Sequence, residues 1–273
     1  MFRNIPIIAL VGIVLTSTFF LIAIFAPLLA PYGFDEIVSP GVWEPSNDEF
    51  LLGTDNIGRD LLSRIIYGLR LTIFIATCAT ILSSVSGSIL GFSAAVAGGW
   101  VDQALSRTVD LFMSIPSLIF ALVILSVVDI SIFMLILILG LLDTTRVFRL
   151  ARAVAVDINV MDYVEAAKLR GEGMRWIIFR EILPNSLSPL VAELGLRFIF
   201  MVLFISTLSF LGLGIQPPYA DLGAMVKENG EGIPYGIGAA FYPAAVIATL
   251  AVSVNLVADW ILNRTTSLKG GRG

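Results

Sequence analysis

The sequence predicts an all-α integral membrane protein with six transmembrane helices, and three observations carry that prediction. Hydrophobic residues make up 57% of the 273-residue chain and charged residues 14%, where a soluble domain has about 25% charged. The apolar residues lie in long unbroken runs and not in the alternation of a barrel strand, so helices must satisfy the backbone in lipid. Lysine and arginine gather in alternate connecting segments, as they do when one membrane face is cytoplasmic.

A helix needs about 20 apolar residues to cross roughly 30 Å of hydrocarbon. The first run, Ile5 to Ala30, makes residues 1–30 a retained transmembrane helix. Arg3 ahead of it and the small residues near Ala30 resemble a signal peptide, but the run exceeds an apolar region of about 7–15 residues. Residues 31–70 form an external loop rich in Asp and Glu, ending in a short amphipathic helix from Asp60 to Tyr67. Residues 71–265 hold the other five spans: Leu71 to Val101, Leu111 to Val128, Ile130 to Leu142 with extension through Thr145, Phe198 to Ala220 beginning near Pro189, and Gly232 to Ala258. The apolar "LGLG" at 211–214 reads as the external end of the fifth span, and 266–273 as a tail.

Orientation follows from the basic residues. With the N-terminus inside, the interior segments hold Arg3, Arg107, Arg146, Arg149, Arg152, Lys168, Arg170, Arg175, Arg180, Arg264, Lys269 and Arg272. The exterior holds only Arg59, Arg64, Arg70 and Lys227, so both termini face the cytoplasm.

Several function classes are excluded. A net charge of -4 speaks against nucleic acid as a partner. With no histidine and one cysteine, Cys78, the chain has no Cys/His zinc site, no histidine base and no internal disulfide. Cys78 reads as a small buried hydrophobe. None of Lys168, Lys227 and Lys269 follows a glycine, so the chain has no G-x-x-x-x-G-K-[ST] phosphate loop, and neither G-x-S-x-G nor H-E-x-x-H occurs. No catalytic residue and no bound cofactor or metal is expected.

The loop from 143 to 188 contains the segment that differs most from its surroundings, "DYVEAAKLRGEGMRWIIFREILPN" at 162–185. Asp162 with Glu165 three residues on has the form of a capping box. The pattern predicts a helix from Tyr163 to Arg170, a stop at Gly171 and Gly173, and a second helix from Met174 to Leu183 ending at Pro184. Ala166 and Ala167 would offer a low surface to another protein's backbone. The same pattern also fits amphipathic helices on the lipid surface.

Polar residues within the spans are the other candidates. Glu193 and Arg197 stand four apart and fit either an ion pair on one helix face or a pathway role. Asp110 reads as interfacial, and Asn255 and Asp259 as polar bonds between helices. Gly87 and Gly91, flanked by Ser84 and Ser88, suit close helix packing or the lining of a substrate pathway. A stand-alone carrier or channel would use Asp110, Asp129 or Glu193 to couple ions.

The charged segment resembles the E-A-A motif of permeases of ABC importers that work with a binding protein: Glu165, Ala166, Ala167, Gly171, Leu183 and Pro184 fill its slots, and Glu181 stands where isoleucine is usual. "GTDNIGRDLLSR" at 53–64, "RTVDLFMSIP" at 107–116, Arg149 with Arg152, "LSFLGLGIQPP" at 208–218 and Asn255, Leu256 and Asp259 are similar to the dipeptide, oligopeptide and nickel branch, nearest its C-type subunit.

The resemblance implies a type I importer permease in a bacterial inner membrane, passing peptides, nickel or another small solute by alternating access. Its implied partners are a homologous B-type permease, two cytoplasmic ATPase subunits carrying ATP and Mg, and an extracytoplasmic substrate-binding protein. Asp162, Tyr163, Glu165, Ala166, Ala167, Gly171, Leu183 and Pro184 would couple to the ATPase. The external loop would either contact the binding protein or be merely solvated.

Overall fold

The computed structural model describes residues 6–270, with side chains to residue 263. Arg3 and Arg272, and the side chains of Arg264 and Lys269, lie outside the described residues. In chain order the helices are α1 (Ile7–Ile24), α2 (Ala26–Leu29), α3 (Leu61–Ala97), α4 (Gly99–Ser114), α5 (Ser117–Leu125), α6 (Ile132–Asn159), α7 (Asp162–Leu169), α8 (Met174–Trp176), α9 (Leu183–Phe210), α10 (Leu222–Gly230) and α11 (Phe241–Gly270). A π-helical turn spans Ile177–Ile182 and a 3₁₀ turn Ile233–Tyr235. Among the described residues the only β pairing is two isolated bridges, Ile37 with Arg59 and Thr54 with Asp60.

Four helical runs are long and apolar enough to cross a membrane, and five if the bent pair α4–α5 counts as one, against the six expected. The one not among these is the fourth expected span, Ile130 to Leu142, which falls in the first half of α6, a helix that runs on past Leu142 and Thr145 to Asn159. Asp143, Arg146 and Arg152 do not end α6, because each finds a charged partner on a helix face. The third expected span is not straight: α4 and α5 meet at 80°. Pro116 lacks a donor and pushes Ile115 into extended backbone at φ -91 and ψ 128.

Other boundaries move for local reasons. Asp60 accepts from the Ser63 N–H at 2.8 Å and caps α3, so the expected short helix and the second span are one helix of 37 residues. Gly98 and Gly99, at φ +60 and +53, end it. The expected stop at Pro184 does not occur. Met174 to Phe210 is one helical run, in which the wide turn at 177–182 precedes the proline. The sixth expected span begins at Phe241 instead of Gly232, because Gly232, Pro234 and Gly236 form a turn, with Gly236 at φ +79.

The chain divides into two compact units. One comprises residues 6–77, 122–136 and 198–257 of those described. In it α1 meets α11 at Gly12, where an added Cβ would lie 2.7 Å from the Leu256 Cβ. The other comprises 78–121, 137–197 and 258–270. Its core brings together α3 (Phe92, Ala95), α6 (Ala151, Ala155, Ile158), α7 (Val164) and the π turn (Ile177, Ile178, Ile182).

Gly91 provides a test of this packing. A Cβ there would stand 2.8 Å from the Arg152 nitrogen and the Phe148 oxygen of α6, whereas Gly173 has nothing within 4 Å. Gly91→Ala should destabilise by about 1–3 kcal/mol, and Gly173→Ala by no more than about 0.5 kcal/mol. Thermal unfolding in detergent measures both, and equal melting temperatures would mean that α3 and α6 are not this close.

Candidate functional site

The charged segment folds as a hairpin on α6. Val164 and Ala167, three apart, are buried, while Asp162, Tyr163, Glu165, Ala166, Lys168 and Leu169 are exposed. The expectation that both alanines face outward is corrected: Ala167 is fully buried, since the helix anchors through its i, i+3 face. The capping box is not formed either. The N-cap is Met161, whose carbonyl accepts from Val164 and Glu165 at 2.9 and 3.1 Å, so Asp162 enters the helix one residue early. Asp162 and Glu165 then both sit in the first turn, where acids complement the helix dipole.

The other end matches expectation. Gly171 has φ +82. The Gly171 N–H donates to the Lys168 carbonyl at 2.9 Å and the Glu172 N–H to Ala167 at 3.2 Å, the paired bonds of a Schellman cap. Gly173, at φ -76, is ordinary backbone and opens α8. Arg170 lies 5.6 Å from the centre of the Trp176 ring, a cation–π contact across the turn. Lys168 Nζ donates to the Asn159 carbonyl at 3.2 Å and Asn159 Nδ2 to Ala95 at 3.2 Å, tying α7 to the end of α6 and α6 to α3. Leu183 is half-buried and Pro184 exposed, both in the first turn of α9.

The expected pathway residues are placed differently. Gly87 and Gly91 are buried against α6, with an added Cβ at Gly87 only 2.6 Å from the Val147 Cβ. They are packing residues because the two backbones leave no room for side chains. Ser84 and Ser88 are half-buried beside them. Ser86, which the sequence did not single out, bonds Thr144 across the same contact at 2.6 Å.

Glu193 and Arg197 do pair, at 2.7 Å, and a third residue joins them. Arg197 Nη1 donates to Asp143 Oδ1 at 3.2 Å, and Arg146 approaches the same oxygen at 4.0 Å. Asp143 carried no sequence signal, because its partner stands 54 positions away. Arg152 grips Asp102 of α4 with Nε and Nη2, the latter at 2.6 Å. Asp110, Asp129, Asn255 and Asp259 are exposed on the chain, so the expected polar bonds of the last two are not buried within it.

The 53–64 signature builds a buried ion cluster. Asp55 accepts from the Ile57 and Arg59 N–H groups at 3.0 and 2.9 Å, from Arg59 Nε at 2.7 Å and from Arg64 Nη1 at 2.5 Å. Glu228 of α10 closes it, 3.0 Å from Arg64 and 3.3 Å from Arg59. Burial opposes ionisation of Asp55, but its backbone donors and the Arg64 charge outweigh that and hold its carboxyl below the usual range. Nearby, Asp221 caps α10 through the Ala224 N–H at 2.9 Å; complete burial pushes its carboxyl up to about 6. These signature residues face inward, so they fix the loop and do not form a docking face.

A family model described as binding-protein-dependent transport system inner membrane component matches residues 87–267. The chain belongs to that family. This inner membrane component is 34% identical over 92% of its length to the dipeptide transport system permease protein DppC of Haemophilus influenzae, covering 87% of that relative. It is 32% identical to the di/tripeptide transport system permease protein DppC of Pseudomonas aeruginosa, covering 92% of this chain and 85% of that one. The crystal structure of an amino acid ABC transporter with histidines has the same fold, with a TM-score of 0.56 and 18% identity over 74% of this chain and 94% of the other. The protein is thus a multi-pass membrane transport component, not itself an enzyme.

The Asp143 network yields a prediction. Arg197→Met removes the nearer cation from a carboxylate whose side chain is 1% exposed and leaves Arg146 at the greater distance, and should destabilise by about 3 kcal/mol or more. Adding Asp143→Leu should recover most of that loss in thermal unfolding. A double variant no more stable than the single one would show that Arg197 does not hold the Asp143 charge.

Proposed function

We propose that this chain is the C-type permease subunit of an ATP-driven ABC importer for short peptides, and that the 162–184 hairpin docks on the ATPase. The observation that carries the docking is the division of α7. Val164 and Ala167 anchor one face, while Tyr163, Ala166 and Leu169 are exposed on the other, Leu169 at 84%. A lipid-surface helix would favour Lys and Arg around its apolar face. Here the first turn carries Asp162 and Glu165, which an anionic membrane repels. A protein cleft suits this mixed face better than a bilayer.

The peptide substrate rests on the names of the relatives and the branch-specific signatures. The rest of the assembly follows the same reading: a B-type permease beside this chain, two ATPases binding ATP and Mg below, and a binding protein outside. Both termini then face the cytoplasm, and closure of the ATPases turns the permease pair outward through α7.

Gly171 is the sensitive position, since positive φ there strains an L-residue by roughly 1–2 kcal/mol and a β-branched one more. Gly171→Val should insert normally but lose most ATPase recovery and most substrate-stimulated ATP hydrolysis in the reconstituted complex. Gly171→Asn, which tolerates the left-handed region, should retain much of both. Wild-type recovery and hydrolysis with Gly171→Val would remove this hairpin as the dock.

A further inference from the structure

Three elements, α3, the end of α9 and the start of α10, meet around one carboxylic acid that no cation accompanies. Asp221 caps α10 and is 0% exposed. Its Oδ2 accepts from the Ala224 N–H at 2.9 Å, and the Thr72 hydroxyl of α3 donates to Oδ1 at 3.5 Å. The Gly223 N–H and the Ser209 hydroxyl of α9 complete the donors. Ser209 Oγ itself accepts from the Ile215 N–H at 3.2 Å, which aims its proton at the acid. The backbones close in from both sides. A Cβ on Gly223 would stand 2.2 Å from the Ser206 carbonyl oxygen of α9, and one on Gly68 of α3 would stand 3.4 Å from the Asp221 carbonyl carbon.

Other buried carboxylates are treated differently. Asp55 faces Arg59 and Arg64, and Asp143 faces Arg197 and Arg146. Asp221 has neutral donors alone. The charges on the elements around it are engaged or turned outward: on α3, Arg64 pairs with Asp55 and Glu228, and Arg70 is exposed. On α10, Lys227 is exposed and Glu228 belongs to the Asp55 cluster. No charged residue occurs between Phe198 and Ala220. The tyrosines on either side, Tyr67 and Tyr219, pack on Phe34 and are neutral well above physiological pH.

We propose that Asp221 is a proton-binding site that sets how firmly α10 is seated on α3 and α9. With the proton on, the neutral carboxyl suits the enclosed junction and still offers an oxygen to the Ala224 N–H. With the proton off, a buried charge is held by neutral dipoles alone, and opening the start of α10 to water relieves it. At the other end of α10, Glu228 and Asn229 bond Arg64 and Trp43. The helix that the proton seats is therefore also the one that holds the 31–60 loop. On the topology proposed above that face is external, and the site then reads the pH outside the cell.

The direction of the effect follows from burial, which lifts the folded carboxyl to about 6, above the roughly 3.9 of an unfolded aspartate. The folded state binds more protons between those values. Stability from this group is full below about pH 4 and is lost as pH rises through about 6.

The test is a pH series on the full chain in detergent, wild type and Asp221→Asn, which keeps an oxygen to cap Ala224 and cannot ionise. Infrared difference spectra of the wild type should show a carboxylic-acid carbonyl band that titrates near pH 6 and is missing from the variant. Amide exchange over residues 222–226, corrected for its intrinsic pH dependence, should speed about ten-fold in the wild type between about pH 5 and about pH 7.5 and stay level in the variant. Identical spectra from the two proteins overturn the proposal. Wild-type exchange that is flat across this range overturns it too, and that measurement needs no variant. Neither readout uses peptide, ATP or a partner, so a failed peptide or docking reading leaves both unmoved. With the chain in oriented vesicles, a response only to the pH on the face of the α7 hairpin would fail the proposed topology while supporting the proton site.

Discussion

At Gly87 and Gly91, α3 and α6 lie closer than any side chain would allow, and much else follows from where that contact places α6. Helices in lipid gain little from hydrophobic burial against one another, so close backbone approach and polar bonds hold them together. Ser86 and Thr144 supply one such bond beside the glycines. Farther along α6, Arg152 meets Asp102 and Asn159 reaches the Ala95 carbonyl. Lys168 then ties α7 to that same Asn159. The hairpin is therefore fixed to α6 and α3 by a continuous set of packed and hydrogen-bonded groups.

The ionic residues divide into two physical kinds. Asp55 is wholly enclosed and receives donors from two backbone N–H groups and two arginines. Such a cluster resists change, because removing one partner leaves a buried charge uncompensated. It joins the external loop to α3 and, through Glu228, to α10. Arg146 differs: a third of its side chain is open, while it donates to Ser117 at 3.1 Å and approaches Asp143 at 4.0 Å.

The sequence made the apolar helices, the amphipathic α7 and the left-handed Gly171 legible, because each depends on local pattern or on one residue's allowed backbone. It concealed features that depend on distant partners. Asp143 reads as an ordinary charge at a helix end until Arg197 is brought beside it. Arg64 reads as one charge of a short external amphipathic helix until Asp55 is brought beside it within the long helix α3. The bend at Pro116 was visible as a proline within an apolar run, but hydropathy alone carried the span straight through it. The inward turn of Ala167 could not be told from two adjacent alanines without knowing where α6 lies.

On the proposed function, the outward face of α7 meets the ATPase. The direct measurement places single cysteines at 166, 167 and 169 in a Cys78→Ala background, tags them with a maleimide–benzophenone and irradiates the assembled importer. Docking through this face predicts covalent capture of the ATPase from Ala166→Cys and Leu169→Cys, and little tagging of the buried Ala167→Cys. Capture of lipid alone, or of nothing, from both 166 and 169 in an assembled and active complex would contradict it.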